Sequence, residues 1–184
     1  MILLWALPPG LIIGWLTGGR LRNIESRHLR KGYLVALGLG IQLLIFPLGR
    51  VGPVITWGTE GLHIVSYGLL ALFLWANRKY WPFVLMAVGL LANLLVIAVN
   101  GGLMPADPEA LSRAGAHRAA EILEEKGRVG NVVRMGASTR LNFLGDWLYI
   151  PEQVPLATAF SLGDLVIALG LLLFFPYAMQ GVRS

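Results

Sequence analysis

Residues 81–99 read WPFVLMAVGLLANLLVIAV, nineteen positions without one charge. Crossing about 30 Å of hydrocarbon takes about 20 apolar residues in a helix. This stretch decides the fold class, and four more like it lie on either side. Residues 61–77 (GLHIVSYGLLALFLWAN) and 32–49 (GYLVALGLGIQLLIFPLG) precede it, and 156–178 follows, uncharged except for Asp164. Residues 1–19 are also uncharged, although Pro8-Pro9 interrupts them early. The pattern predicts an all-α polytopic membrane protein, a five-transmembrane-helix bundle forming one domain over 1–184. Its spans are about 1–19, 32–49, 61–77, 81–99 and 156–178.

Composition agrees. The chain is 56% hydrophobic and 14% charged, where a soluble domain carries about 25% charged residues. The net charge of +5 could suit nucleic acid, but the basic residues stand beside apolar runs, so membrane orientation accounts for them and no nucleic-acid partner is expected. Cysteine is absent, which excludes disulfides and thiolate metal sites. His28, His63 and His117 are scattered without ligand spacing, so neither a metal nor a cofactor is expected. Nothing basic precedes Arg20, so residues 1–19 lack the n-region of a secretory signal and read as a short, proline-broken span.

Lysine and arginine in short loops set orientation. Residues 20–31 (RLRNIESRHLRK) hold five basic residues against one acid, Arg78 and Lys79 follow the third span, and Arg183 follows the fifth. With five spans all three sites share a side, which should be the cytoplasm. The chain is then expected in a bacterial cytoplasmic (inner) membrane, N-terminus outside and C-terminus inside.

Residues 100–155, with seven acids and six basic residues, become an extracytoplasmic cap. Asp107-Pro108-Glu109 suits a helix start, with Asp as N-cap and Pro at the first helical position. Leu111, Gly115, Ala119, Ile122 and Leu123 recur at helical spacing, and Gly127 suits a C-cap. One amphipathic helix over 108–126 is expected, followed by an ordered loop over 128–155.

Four sets of polar or small residues stand out. Gly10, Gly14 and Gly18 form overlapping GxxxG steps that let helices approach closely, in a dimer or, as expected here, within the bundle. Asn93 sits inside the fourth span, where an amide needs a partner on another helix. Asn100 with Gly101 and Gly102 reads as a helix stop. Asp164 is ionisable within a span, which is costly and marks function by default. It also completes a capping box with Ser161, which would place it at the helix start, where the dipole favours a carboxylate. Asp146 lies 18 positions upstream, with Arg140 available to pair with either aspartate. Two carboxylates at one apolar interface can share a proton and divide acid and base roles.

The chain resembles a bacterial family of small multi-pass membrane proteins of unknown function. Gly18-Gly19-Arg20 with Asn23, Lys31-Gly32, Gln42, Asn100-Gly101-Gly102-Leu103-Met104-Pro105, Leu144-Gly145-Asp146 and Phe160-Ser161-Leu162-Gly163-Asp164 carry the likeness. Over about 139–175 it is also similar to lipoprotein signal peptidase (signal peptidase II). That family's catalytic aspartates lie in a Val-Asp-Phe segment and a Phe-Asn-x-Ala-Asp segment. Gly145-Asp146-Trp147 and Phe160-Ser161-Leu162-Gly163-Asp164 match these, with Ser161 in place of the Asn.

Two function classes follow. The first is a non-enzymatic membrane component, a subunit of a larger complex or a lipid- or ligand-binding module, with membrane lipid and other membrane subunits as partners. The second is an intramembrane aspartyl hydrolase acting on a lipidated or peptide substrate. Asp146 and Asp164 would then be catalytic, with Asn100 and Arg140 positioning the substrate carbonyl and Asn93 binding. Sequence alone leaves enzyme or non-enzyme open.

Overall fold

A computed structural model describes residues 2–25, 27–45, 54–55 and 57–181. The protein is mostly helical. α1 (Leu3–Leu16), α3 (Tyr33–Ile45), α4 (Thr59–Ala76), α5 (Trp81–Val99) and α8 (Leu162–Met179) are its long apolar helices, and a single turn, α2 (Arg22–Glu25), follows α1. Of these, α4, α5 and α8 are long and apolar enough to cross a membrane, whereas α1 and α3 are shorter. The expected fourth span and α5 coincide at 81–99. The last four residues of the expected second span, 46–49, lie outside the described residues, as does Arg183.

Packing follows the small residues. α8 lies against both α5 and α1, and α4 joins α3 to α5. A Cβ at Gly10 would stand 2.8 Å from the Leu172 carbonyl oxygen, and one at Gly14 would strike the Met179 sulfur. The GxxxG face of α1 is therefore spent on α8 within the bundle, while Gly18 faces open space. α1 is continuous through Pro8 and Pro9, which corrects the proline break expected there. The prolines remove two backbone donors, and packing along α8 holds the helix. The core between α4, α5 and α8 includes Leu74, Phe83, Leu90 and Phe174, with Phe83 and Phe174 stacked at 4.9 Å.

The basic segments gather at one end. Asn77 is fully buried and its side chain holds both backbone groups of Arg30, each at 2.8 Å. Asn23 donates to the Met179 carbonyl at 2.7 Å, and the Arg27 guanidinium to those of Tyr177 and Gln180 at 3.0 and 2.7 Å. An amide and a cation thus satisfy the last carbonyls of α8, where the helix dipole favours positive charge.

The cap occupies the other end and departs most from expectation. The single helix expected over 108–126 is two, α6 (Pro108–Arg113) and α7 (His117–Lys126). Glu152 donates its backbone N–H to the Arg113 carbonyl at 3.0 Å, taking the acceptor a continuous helix would use, and Gly115 turns at φ +78°. The ends are as expected: the Asp107 side chain accepts from Glu109 N–H, and Gly127 is left-handed. The expected loop over 128–155 carries three short strands. β2 (Arg128–Val129) and β3 (Val132–Arg134) form a hairpin, and β3 pairs in parallel with β1 (Met104–Ala106). β4 (Leu148–Ile150) pairs antiparallel with β5 (Thr158–Phe160). β5 takes the opening of the expected fifth span, so α8 starts only after Ser161.

Candidate functional site

Asp164 is held by three hydrogen bonds from two residues. Ser161 caps α8 through its Oγ, which accepts from Asp164 N–H at 3.0 Å, and Asp164 Oδ2 accepts from Ser161 N–H at 3.3 Å. The capping box read from the sequence is therefore formed. The third hydrogen bond comes from α5: Asn93 donates its amide to Asp164 Oδ1 at 2.7 Å, and the Asn93 Oδ1 accepts from the Ser161 hydroxyl at 2.8 Å. Asn93 and Ser161 are 1% and 0% exposed, whereas Asp164 is half-buried and lines a cavity. The arrangement depends on glycine. A Cβ at Gly163 would collide with the Asn93 amide and stand 2.7 Å from the Gly89 carbonyl oxygen.

Asp146 is placed by the cap. Its N–H donates to the Pro105 carbonyl and its carbonyl accepts from Asp107 N–H, both at 2.9 Å. The segment thus adds to the edge of β1 that β3 leaves free. A short 3-10 turn, Asn142–Leu144, delivers it there. Asp146 Oδ1 is shut off from solvent and meets no hydrogen-bond partner among the described residues. Burial, and then the charge of Asp164, push the Asp146 carboxyl well above its ordinary value of 3.8.

The two aspartates line one cavity of about 310 Å³, beneath the cap and at the head of the bundle. Gln42 from α3, His63 and Tyr67 from α4, and Leu3 from α1 share its wall. His63 is buried, with Nδ1 3.0 Å from the Gly102 carbonyl oxygen, and sits edge-on to Tyr67 at 5.4 Å. A second, apolar pocket of about 230 Å³ adjoins it. Leu3, Gln42, Tyr67 and Asp164 line both, and Leu70, Phe73 and Leu90 carry the second toward the middle of the bundle.

Asn100 and Arg140 belong elsewhere. The Asn100 side chain donates to the Val96 and Arg140 carbonyls and accepts from Arg140 N–H at 2.9 Å. Both residues line a separate depression of about 400 Å³ with Ser138 and Thr139. Among the described residues, the Arg140 guanidinium forms no ion pair with either aspartate.

Sequence reasoning did not select Gln42, His63 and Tyr67 as site residues. A signal existed: Thr59, Glu60, His63, Ser66 and Tyr67 recur at three- and four-residue spacing on a helix otherwise apolar, and such a stripe marks one face. The described residues contain no group of three or more His, Cys, Asp or Glu side chains able to hold a metal ion.

These features define a mostly helical protein with membrane-length apolar helices and a buried acidic cavity at one end. The chain belongs to the family of unknown function DUF5317, whose model matches residues 26–176. It is 28% identical over 173 residues to an uncharacterized protein of Thermotoga maritima, covering 90% of this chain and 84% of that protein. No solved structure matches.

Proposed function

We propose that this is a five-span membrane protein that binds an amphipathic, lipid-like ligand on its extracytoplasmic side. One observation carries the reading: the acidic cavity and the apolar pocket share four lining residues, so a polar head and an apolar chain fit end to end. The five-span arrangement draws support from α1. Its Leu3 lines the cavity beside the start of α8, and Gly19 packs on Met179 at the far end of α8, so α1 runs the length of that helix. In this reading the basic end faces the cytoplasm, the N-terminus is outside, and the membrane is the bacterial inner one. The test is to purify the full chain in mild detergent and identify bound amphiphiles by native mass spectrometry. Leu70→Trp, which fills the apolar pocket, should release them while melting stays cooperative. A folded wild-type protein that retains and takes up no amphiphile would sink the proposal.

A second reading, an aspartyl hydrolase similar to signal peptidase II, is favoured by the placement of both aspartates on one cavity with Asp146 Oδ1 bare. One carboxylate would take a proton from water as its oxygen attacks a carbonyl carbon. The other would give its proton to the leaving group as the carbon–heteroatom bond breaks, which adds one water across that bond. Turnover of a lipid-attached peptide that either Asp146→Asn or Asp164→Asn abolishes would establish this reading. Turnover that survives both substitutions would exclude it.

A further inference from the structure

We infer that a groove at the basic end of α1 seats an anionic phospholipid, with the lipid phosphate on Arg20. This rests on the reading above that α1 lies in the membrane with its basic end in the cytoplasmic leaflet. Among the described residues, α8 is the one helix packed extensively against α1. Ile12, Trp15 and Leu16 of α1 are left exposed, and part of that surface is hollow. Leu11, Ile12 and Trp15 line a groove of about 540 Å³ with Met179 of α8, and Arg20 stands in its wall. The rest of the lining is apolar, a surface for methylenes, and a tryptophan near its mouth suits the membrane interface.

Arg20 decides which lipid fits. Its backbone is fixed at the end of α8: the N–H donates to the Met179 carbonyl at 2.9 Å, and the carbonyl accepts from Asn23 N–H at 3.0 Å. Its side chain is exposed and forms no ion pair among the described residues. Glu25, the single acid of residues 20–31, forms none either, and no acid lines the groove. A guanidinium takes a phosphate through two parallel hydrogen bonds. The surroundings then set the headgroup's net charge. Arg22, Arg30, Lys31, Arg78 and Lys79 belong to the same basic end, so an ammonium on the headgroup meets repulsion there. A phosphodiester without one keeps the full attraction of basic residues for anionic lipid. A second copy of the chain is the poorer occupant, because two copies inserted the same way bring one basic end against another.

The test compares two lipids that share their acyl chains. The purified full chain in nonionic detergent is mixed with phosphatidylglycerol and phosphatidylethanolamine, and native mass spectrometry measures what stays bound. Phosphatidylglycerol should bind about fivefold tighter, the scale of one basic residue acting on an anionic lipid. Arg20→Gln should bring the two lipids within about twofold. Arg22→Gln, which changes a basic side chain outside the groove, should keep most of the preference. Trp15→Ala should weaken both lipids and leave their ratio unchanged. If Arg20→Gln fails to fold, Trp15→Ala decides, because lipid held elsewhere is indifferent to it. Equal binding of the two lipids by wild type overturns the inference, as does a preference that survives Arg20→Gln or that Arg22→Gln removes as fully. A dimer that binds neither lipid gives the groove to a second copy and overturns it too. Leu70→Trp, which fills the apolar pocket beside the acidic cavity, should leave the preference intact. A preference that Leu70→Trp removes places the anionic lipid in that cavity, which overturns the groove and upholds the amphiphile reading.

Discussion

Asp146 and Gly163 show how much depends on single side chains. The Asp146 carboxyl is raised above 3.8 by burial and by Asp164, so the native state holds a proton there that the unfolded chain gives up. Its stabilising effect is complete below the unfolded value and is lost as pH rises through the native one. Asp146→Asn removes this dependence. The variant's unfolding free energy relative to wild type should therefore rise from about pH 4 upward, by up to about 1.4 kcal/mol per pH unit within the window. A difference that stays constant with pH, followed by calorimetry, would count against a buried, proton-holding Asp146. Gly163 makes a different prediction. Its missing Cβ leaves the space that the Asn93 amide fills, so Gly163→Ala should cost about 1–3 kcal/mol, as overpacking does. Adding Asn93→Ala should recover part of that loss, because truncation clears the collision. Strictly additive losses in the double-mutant cycle would show that the two positions do not meet.

At the scale of elements, α8 is held at both ends by different chemistry. Its start is a capping box shared with α5, and its end receives Asn23 and Arg27. Losing the cap oxygen in Ser161→Ala should lower stability by about 0.5–2 kcal/mol. Asp164→Asn should be milder than Asp164→Ala, because an amide oxygen can still accept from Ser161 N–H. Chemical denaturation of the three variants orders them, and an Asn variant as damaged as the Ala variant would contradict the capping role. The cap elements were partly legible. Val129-Gly130-Asn131-Val132 is a two-residue turn between β-branched residues, a hairpin signal, and Gly130 takes φ +57°. The division of the 108–126 segment was not legible. It depends on Glu152 N–H reaching the Arg113 carbonyl, a contact between residues far apart in the chain.

At the scale of the whole molecule, charge and shape agree. The basic turns and the end of α8 meet at one pole, and the cap with its acidic cavity sits at the other. If the basic pole is cytoplasmic, a cysteine placed at Ser112 should react with an impermeant thiol reagent from outside the cell, and one at Lys79 should not. The chain has no cysteine of its own, so the background is clean. Labelling of Lys79→Cys and protection of Ser112→Cys would invert the orientation and, with it, the side from which a ligand arrives.

Local chemistry is what the sequence determined by itself. Uncharged runs long enough to form apolar helices, the cap of Ser161 on its own helix, and the Asp107 and Gly127 ends of the cap helices all depend on residues within a few positions of one another. The same holds for the family likeness carried by short motifs. Which polar groups meet was decided only in the tertiary structure. Asn93 reaches Asp164 because glycines bring α5 and α8 together, and Asp146 faces the same cavity because an edge of β1 was free to take it. Asn100 and Arg140, expected beside the aspartates, found each other instead. Spacing along a chain governs contacts within a helix or a turn, whereas contacts between elements depend on packing that every other element must also satisfy.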